Sequence, residues 1–202
     1  MKKILSVMLV AAIMLAAISI TASAISTHTV VRGDSLWKIA VKYQVGLSEI
    51  KSANPTIKNY DLIYPGQKIN IPTVATSVTA YEQEVVRLVN DIRRKNGLSP
   101  LTLDWELSRV ARYKSQDMKD KGYFSHTSPT YGSPFAMMKS FGISYRTAGE
   151  NIAKGYSTPE EVVKGWMNSP GHRANILNSS FTHIGVGYVA SGSYWTQMFV
   201  GR

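Results

Sequence analysis

Among the residues whose side chains could take part in chemistry are two of the four histidines, His126 and His172, and one glutamate, Glu150. They lie 24 and 22 residues apart, so only the tertiary fold could bring them together. Two neutral imidazoles and a carboxylate could bind one divalent metal ion, such as zinc, with a coordination position left for water. Without a metal, a histidine and glutamate pair could act as a general base near neutral pH. The alternative is a structural network of buried polar groups that bonds loops together.

Other kinds of chemistry have little support in this sequence. It contains no cysteine, which excludes thiol nucleophiles, cysteine-ligated zinc and disulfides, and no serine lies in a nucleophile-elbow motif. The net charge of +10 favours polyanions. If the protein is exported, the anionic partners expected are wall polymers or lipid headgroups. The alternative is that the basic residues form a solvated surface and bind no partner. No basic run with interleaved aromatics is present, so nucleic acid is not predicted as a partner.

Residues 1–24 have the pattern of a secretory signal peptide. Lys2 and Lys3 precede an apolar run of about 17 residues, which ends before the small-residue pattern of Ala22 and Ala24. The run is at the short limit for spanning a bilayer, so an uncleaved membrane anchor is the less favoured alternative. We therefore expect cleavage after Ala24, an extracellular protein and no membrane-spanning segment in the mature chain.

The remaining chain divides into a module over residues 25–72, a linker over 73–80 and a module over 81–202. In the first module, "THTVV" alternates like a strand, and Asp34 or Ser35 can cap a helix. A second short helix near Ser48 and a closing strand, "KINIP", follow. The predicted order is strand, helix, helix, strand (βααβ).

The first module resembles a LysM domain. The resemblance depends on "HTVVRGDSLWKIAVKYQV", "IKSANP" and "LIYPGQKINIP" in that order. It implies binding of peptidoglycan or another N-acetylglucosamine polymer in a shallow groove between two loops. The residues implied to contact the glycan are Gly33, Asp34, Ser35, Leu36, Asn54, Pro55, Asp61, Ile63 and Tyr64. The alternative is that Leu36 and Ile63 belong only to the core and that Asp34 is only a helix cap.

The second module has helical patterns first and strand patterns last. Two amphipathic helices are predicted, one that ends at Asn96–Gly97 and one that ends at Gly122. A shorter helix is predicted over "SPFAMMKSFGI", and a fourth begins after a cap at Ser157 or Thr158. Two alternating runs about "SGS" predict a C-terminal hairpin, and "ENIAKG" is a candidate further strand. This pattern predicts an α+β fold with helices packed on a mainly antiparallel sheet.

The second module resembles the CAP superfamily, also called SCP-like or pathogenesis-related-1-like. The matching segments, in family order, are "VNDIRRKNGLSPLTLDWELSRVARYKSQDM", "FSHTSP", "AGENIA", "WMNSPGHRANIL", "HIGVGY" and "YWTQMF". The resemblance implies a three-layer α-β-α sandwich whose cleft holds two histidines and two acids. His126, His172 and Glu150 match three of these positions. The second acid is missing, because Met167, Asn168 and Ser169 follow Trp166; Glu161 could replace it only if its side chain faces inward.

The function expected from these modules is that of a secreted, cell-wall-associated protein. The LysM domain would bind peptidoglycan and the CAP-like domain would bind a ligand or an ion. One alternative is a metal-dependent hydrolase that acts on wall peptide or protein through His126, Glu150 and His172. The other is an architectural protein of the wall or spore surface, without activity.

Overall fold

The first module forms the predicted order of strand, helix, helix and strand. The computed structural model describes residues 25–202, and the predicted signal peptide lies outside the described residues. Strand β1 pairs antiparallel with β2, from Ile25 opposite Pro72 to Thr29 opposite Lys68. The elements are β1 (Ile25–Thr29), α1 (Leu36–Tyr43), α2 (Leu47–Ala53) and β2 (Lys68–Pro72).

Two polar side chains define the ends of the helices in this module. Ser35 is the N-cap of α1, because its side chain accepts a hydrogen bond from the Lys38 N–H at 3.2 Å. Asn54, at the end of α2, donates to the Asn70 carbonyl at 2.8 Å and accepts from the Asn70 N–H at 2.8 Å. These bonds fasten α2 to β2 over a core that includes Ile39 and Ile50.

The first helix after the LysM module extends into the predicted linker. This helix, α3, starts at Thr76, so residues 76–80 of the predicted linker are helical. Small residues accept this conformation once the amphipathic segment after them forms a helix. The elements of the second module are α3 (Thr76–Lys95), β3 (Thr102–Leu103), α4 (Trp105–Lys121), α5 (Pro134–Ser140), β4 (Thr147–Lys154), α6 (Pro159–Met167), α7 (Pro170–Ile176), β5 (His183–Val189) and β6 (Tyr194–Gly201).

A four-stranded sheet forms the middle layer of the second module, in the order β3-β5-β6-β4. Only β3 and β5 are parallel, so the sheet is mainly antiparallel, as predicted, and "ENIAKG" lies in β4. Alternate residues of β6 face opposite sides. Met198 packs with α4 and α5, whereas Phe199 packs with α3, α6 and α7. These contacts confirm the three-layer α-β-α sandwich.

Helix α4 approaches the sheet closely because β5 contributes two glycines to that face. A Cβ atom on Gly185 would overlap the backbone of Leu107, and one on Gly187 would overlap the backbone of Arg112. The Ser115 hydroxyl donates to the Gly187 carbonyl at 3.0 Å across the same contact. The close packing places the C-terminal half of α4 beside β4 and the loop that follows α4. Over residues 25–202, no helix has the length and apolar character needed to cross a bilayer.

Candidate functional site

His126 and Glu150 are in direct contact. His126 lies in the loop after α4, Glu150 lies on β4, and the His126 Nδ1 atom is 2.7 Å from Glu150 Oε1. The histidine side chain is 52% exposed, whereas the glutamate side chain is 1% exposed. A buried carboxylate therefore orients an imidazole that solvent can reach, which is the arrangement expected of a general base or a ligand-binding histidine.

Burial dominates the electrostatics of Glu150. Loss of solvent raises the pKa of this carboxyl above its usual range, and the opposing effects of the His126 hydrogen bond and the Lys114 charge are smaller. In the part of the chain that the structure describes, Glu150 Oε2 is buried without a hydrogen-bond partner. This oxygen is a buried polar group that a bound ligand or water could satisfy.

The raised pKa of Glu150 predicts a pH-dependent comparison with Glu150→Gln. Because the folded carboxyl binds its proton more tightly than the unfolded one, the wild type loses stability as pH rises from the pKa of the unfolded carboxyl through the higher pKa of the folded one. The free energy of unfolding of Glu150→Gln, relative to that of the wild type, should therefore increase between acidic and neutral pH. Urea unfolding of both proteins at several pH values measures this difference. A difference that stays constant or decreases would show that the folded-state pKa is not raised.

His172 lies close enough to His126 to interact with it electrostatically. It is in α7, for which Ser169 is the N-cap and Pro170 the first residue. Burial lowers the pKa of His172, and the positive charge of His126 lowers it further. Within the described residues, the His172 ring makes no hydrogen bond to His126 or Glu150; the backbone carbonyl of His172 accepts from Asn151 Nδ2 at 3.1 Å.

The metal site considered from the sequence would need three side chains to converge, and of these only His126 and Glu150 are in hydrogen-bond contact. Over residues 25–202, no group of three or more His, Asp or Glu side chains is arranged to hold a metal ion. Nor does Glu161 replace the missing acid: it is exposed and accepts hydrogen bonds from the backbone N–H groups of Ser157 and Thr158, as part of a capping box. Metal binding by His126, Glu150 and His172 stays a prediction.

Lys114 positions the loop that carries His126, and the sequence analysis did not include it among the site residues. This fully buried lysine donates to the carbonyls of Ser125 at 2.8 Å and His126 at 2.7 Å. Burial lowers the pKa of Lys114, and the negative charges of Glu150 and Asp117 partly oppose that shift. The sequence offered one signal that Lys114 is buried: it lies four positions after Val110, on the apolar face of α4.

Asp117 fastens the other half of the same loop. Its carboxylate accepts from the Tyr123 hydroxyl at 2.6 Å, the Ser128 hydroxyl at 2.7 Å and the Thr130 hydroxyl at 2.6 Å. Burial alone would raise the pKa of Asp117, but these three donors outweigh it and lower the pKa. Because one carboxylate binds three points of the loop over residues 122–132, the backbone at His126 is held against α4.

An amide network holds α7 beside β4. Asn175 Nδ2 donates to Asn151 Oδ1 at 2.8 Å and to the backbone carbonyl of Glu150 at 3.2 Å. Asn151 Nδ2 in turn donates to Gln197 Oε1 at 3.0 Å, and both side chains are fully buried. Together with the bond from Asn151 to the His172 carbonyl, this network determines where His172 lies.

The residues predicted to contact a glycan in the first module differ in accessibility. Leu36 is buried in the core, and Asn54 is buried with its side chain bonded to the backbone, so neither side chain is available to a ligand. Asp34 and Ile63 are partly buried; Asp34 accepts from the Val31 N–H and contacts His28 Nε2 at 2.8 Å, and it is not the helix cap. The exposed members of the set are Gly33, Ser35, Pro55, Asp61 and Tyr64.

Comparison with known families identifies a LysM domain followed by a CAP domain. Residues 28–72 match the LysM domain family, and residues 86–201 match the CAP family, described as the cysteine-rich secretory protein family. The CAP match covers more than half of the chain, so this protein belongs to the CAP family. It does so without any cysteine.

Three comparisons place the chain among bacterial proteins. It is 70% identical over 137 residues to "Uncharacterized protein YkwD" of Bacillus subtilis, which covers 67% of this chain and 53% of that protein. It is 24% identical to "N-acetylmuramoyl-L-alanine amidase sle1" of Staphylococcus aureus, over 98% of this chain and 66% of the other. A solved extracellular SCP-domain protein from Bacillus anthracis superposes with a TM-score of 0.60 and 35% identity, covering 68% of this chain and 47% of that one. The chain thus spans about half the length of YkwD.

Proposed function

We propose that this protein is exported and retained at the cell wall, where its LysM domain binds the N-acetylglucosamine-containing glycan of peptidoglycan. A LysM domain combined with a CAP domain fits a cell-wall-associated protein. The CAP domain would bind a ligand at the exposed His126 ring and the buried Glu150 carboxylate. The high net charge of +10 also suits anionic wall polymers or lipid as additional partners.

The observation that carries the glycan proposal is the placement of the two loops of the LysM domain. Backbone hydrogen bonds of 2.9 Å from Val30 N–H to the Gln67 carbonyl and from Gly66 N–H to the Val30 carbonyl continue the pairing of β1 with β2. The loop with Gly33 and Ser35 therefore lies beside the loop with Tyr64. Exposed backbone and hydroxyl groups can bond an acetamido group, and the Tyr64 ring, 59% exposed, can stack on a sugar.

We expect Tyr64→Ala to weaken retention on purified peptidoglycan by about fivefold, because truncation of an exposed aromatic contact costs about 1 kcal/mol. The measurement is the fraction of full-length protein that sediments with insoluble peptidoglycan over a concentration series. Phe135→Ala is the matched control, since Phe135 is an exposed aromatic residue of the CAP domain. Equal retention of the wild type and Tyr64→Ala would remove this tyrosine from the binding surface, and no retention of the wild type would refute glycan binding.

The contact of His126 with Glu150 also supports a second candidate function, a hydrolase that acts on wall peptide or protein. In it, His126 would serve as the general base and Glu150 would orient it, without a metal. The supernatants of the sedimentation experiment provide the test: soluble fragments released by the wild type and not by His126→Ala would favour the hydrolase. Absence of release from either protein would leave a ligand-binding or architectural role.

A further inference from the structure

An ion pair joins the LysM domain to the CAP domain. Arg109 on α4 donates to the Glu49 carboxylate at 2.8 Å and to the Ser48 hydroxyl at 2.9 Å. The two charged side chains are mostly buried, at 19% and 23% exposure. Burial would raise the pKa of Glu49, but the Arg109 guanidinium outweighs it and lowers the pKa, so the pair is ionised at neutral pH and internally neutral.

The close approach at this ion pair depends on one glycine and one aromatic ring. A Cβ atom on Gly46 would overlap both the Glu49 carboxylate and the Arg109 guanidinium. The guanidinium also lies 5.2 Å from the centre of the Phe141 ring, a cation–π contact. The contact between the two domains is therefore a specific arrangement of side chains.

Beside the ion pair lies a cavity of about 600 Å³ with walls from both domains. Trp37 and Ser48 contribute from the LysM domain, and Trp105, Glu106 and Ser140 contribute from the CAP domain. Trp37 is 56% exposed although it is a large apolar residue. Two accessible indoles in one cavity, with hydroxyl and carboxylate groups beside them, form an aromatic and polar lining.

This lining favours a neutral saccharide over an anionic ligand. The apolar face of a pyranose can stack on an indole, while the Glu106 carboxylate can accept from its hydroxyl and amide groups. The Ser140 hydroxyl donates to the Met137 carbonyl, so its oxygen can serve a sugar only as an acceptor. The Arg109 charge is already balanced by Glu49, so the remaining carboxylate of Glu106 opposes phosphate or an acidic polymer. Trp37, in the wall of the cavity, lies two residues after Ser35 of the LysM groove, so the two sites share this segment of the chain.

We propose that this cavity is a second saccharide site, which binds a neutral N-acetylglucosamine-containing segment between Trp37 and Trp105. The inference depends on the proposed function of the LysM domain, because it takes the same polymer as its ligand. A glycan held in the groove would reach the cavity as an intramolecular partner, so long chains would bind more tightly than short ones.

The test is calorimetric titration of the full-length protein with soluble N-acetylglucosamine oligomers, a tetramer and longer chains. We expect Trp105→Ala to weaken binding of the longer chains about fivefold to tenfold. Trp105→Phe keeps an aromatic face and should retain most of the affinity. Because Trp105 is partly buried, Trp37→Ala provides a second variant at an exposed position, and Phe135→Ala is the control. Trp166 and Trp195 are buried in the CAP core, so fluorescence changes report mainly on Trp37 and Trp105.

The variants separate this inference from the function on which it depends. If Trp105→Ala and Trp37→Ala bind long chains as tightly as the wild type, the second site is overturned. If Tyr64→Ala loses affinity in the same experiment, glycan binding by the LysM groove is still supported. If the tryptophan variants lose affinity for long chains and Tyr64→Ala does not, the result supports saccharide binding in the cavity and shows that Tyr64 does not contact the glycan. A fluorescence change with phosphatidylglycerol vesicles and none with the oligomers would assign the cavity to lipid and overturn the proposal.

Discussion

Gly187→Ala is expected to lower the free energy of unfolding by more than about 4 kcal/mol or to prevent folding. The new methyl group would overlap the backbone of Ala111 and Arg112 in α4, and a helix backbone cannot move aside as the end of a flexible side chain can. Relief would require α4 to separate from β5, which would also break the bond from Ser115 to the Gly187 carbonyl. Urea unfolding followed by circular dichroism gives the difference.

The matched control for this substitution is Gly171→Ala, in α7. A Cβ atom at Gly171 would meet nothing within 4 Å, so the same chemical change occurs in open space. Alanine is favoured over glycine in a helix by up to about 1 kcal/mol, so this variant should be as stable as the wild type or slightly more stable. A Gly187→Ala protein within about 1 kcal/mol of the wild type would contradict the packing of α4 on β5.

The order of helices and strands was predictable because apolar residues recur clearly at the helical spacing in some segments and alternate as in a strand in others. Met198 and Phe199 are neighbours that face opposite layers, and the alternation that places them is visible in "YWTQMF". The boundary at Thr76 was not predictable in the same way. Residues 73–80 carry no charge and no stop signal, and the helix has no side-chain N-cap bond to mark its start.

The candidate site was predictable only in part, because its parts come from distant segments. His126, Glu150 and His172 were selected through the family resemblance, and spacing alone did not place them together. The residues that position them, such as Lys114 and Asn151, lie inside the segments that match the family, but nothing in those segments marks them as supports of the site. Their partners are mostly backbone carbonyls and other amides, and one sequence does not reveal which carbonyls lie near a given side chain.

The site thus combines an accessible ring with a rigid support, and the support comes from both faces of the sheet. The loop that carries His126 is bonded to α4 on one face, through Lys114 and Asp117. Helix α7, with His172, is bonded to Asn151 on the other face. Since β4 is an edge strand, the two supports meet at that edge, where Glu150 contacts His126. Substitutions in the supports should therefore affect the site without changing any of its three residues.

Lys114→Met is the strongest test of that support, and we expect it to lower the free energy of unfolding by about 2–4 kcal/mol. Methionine fills a similar volume, so the loss comes from the polar contacts: the Ser125 and His126 carbonyls lose their donor, and Asp117 and Glu150 lose a nearby positive charge. Amide hydrogen exchange over residues 122–132 should increase more than exchange in the sheet.

Lys121→Met is the control for Lys114→Met, because Lys121 is an exposed lysine at the end of the same helix. It should change stability by no more than about 0.5 kcal/mol. If Lys114→Met were equally mild and left exchange of the loop unchanged, Asp117 alone would hold His126 in place. If exchange increased across the whole CAP domain, the lysine would stabilise the sandwich and not the site. Only an increase concentrated in the loop would show that a buried charge on α4 determines where the exposed histidine stands.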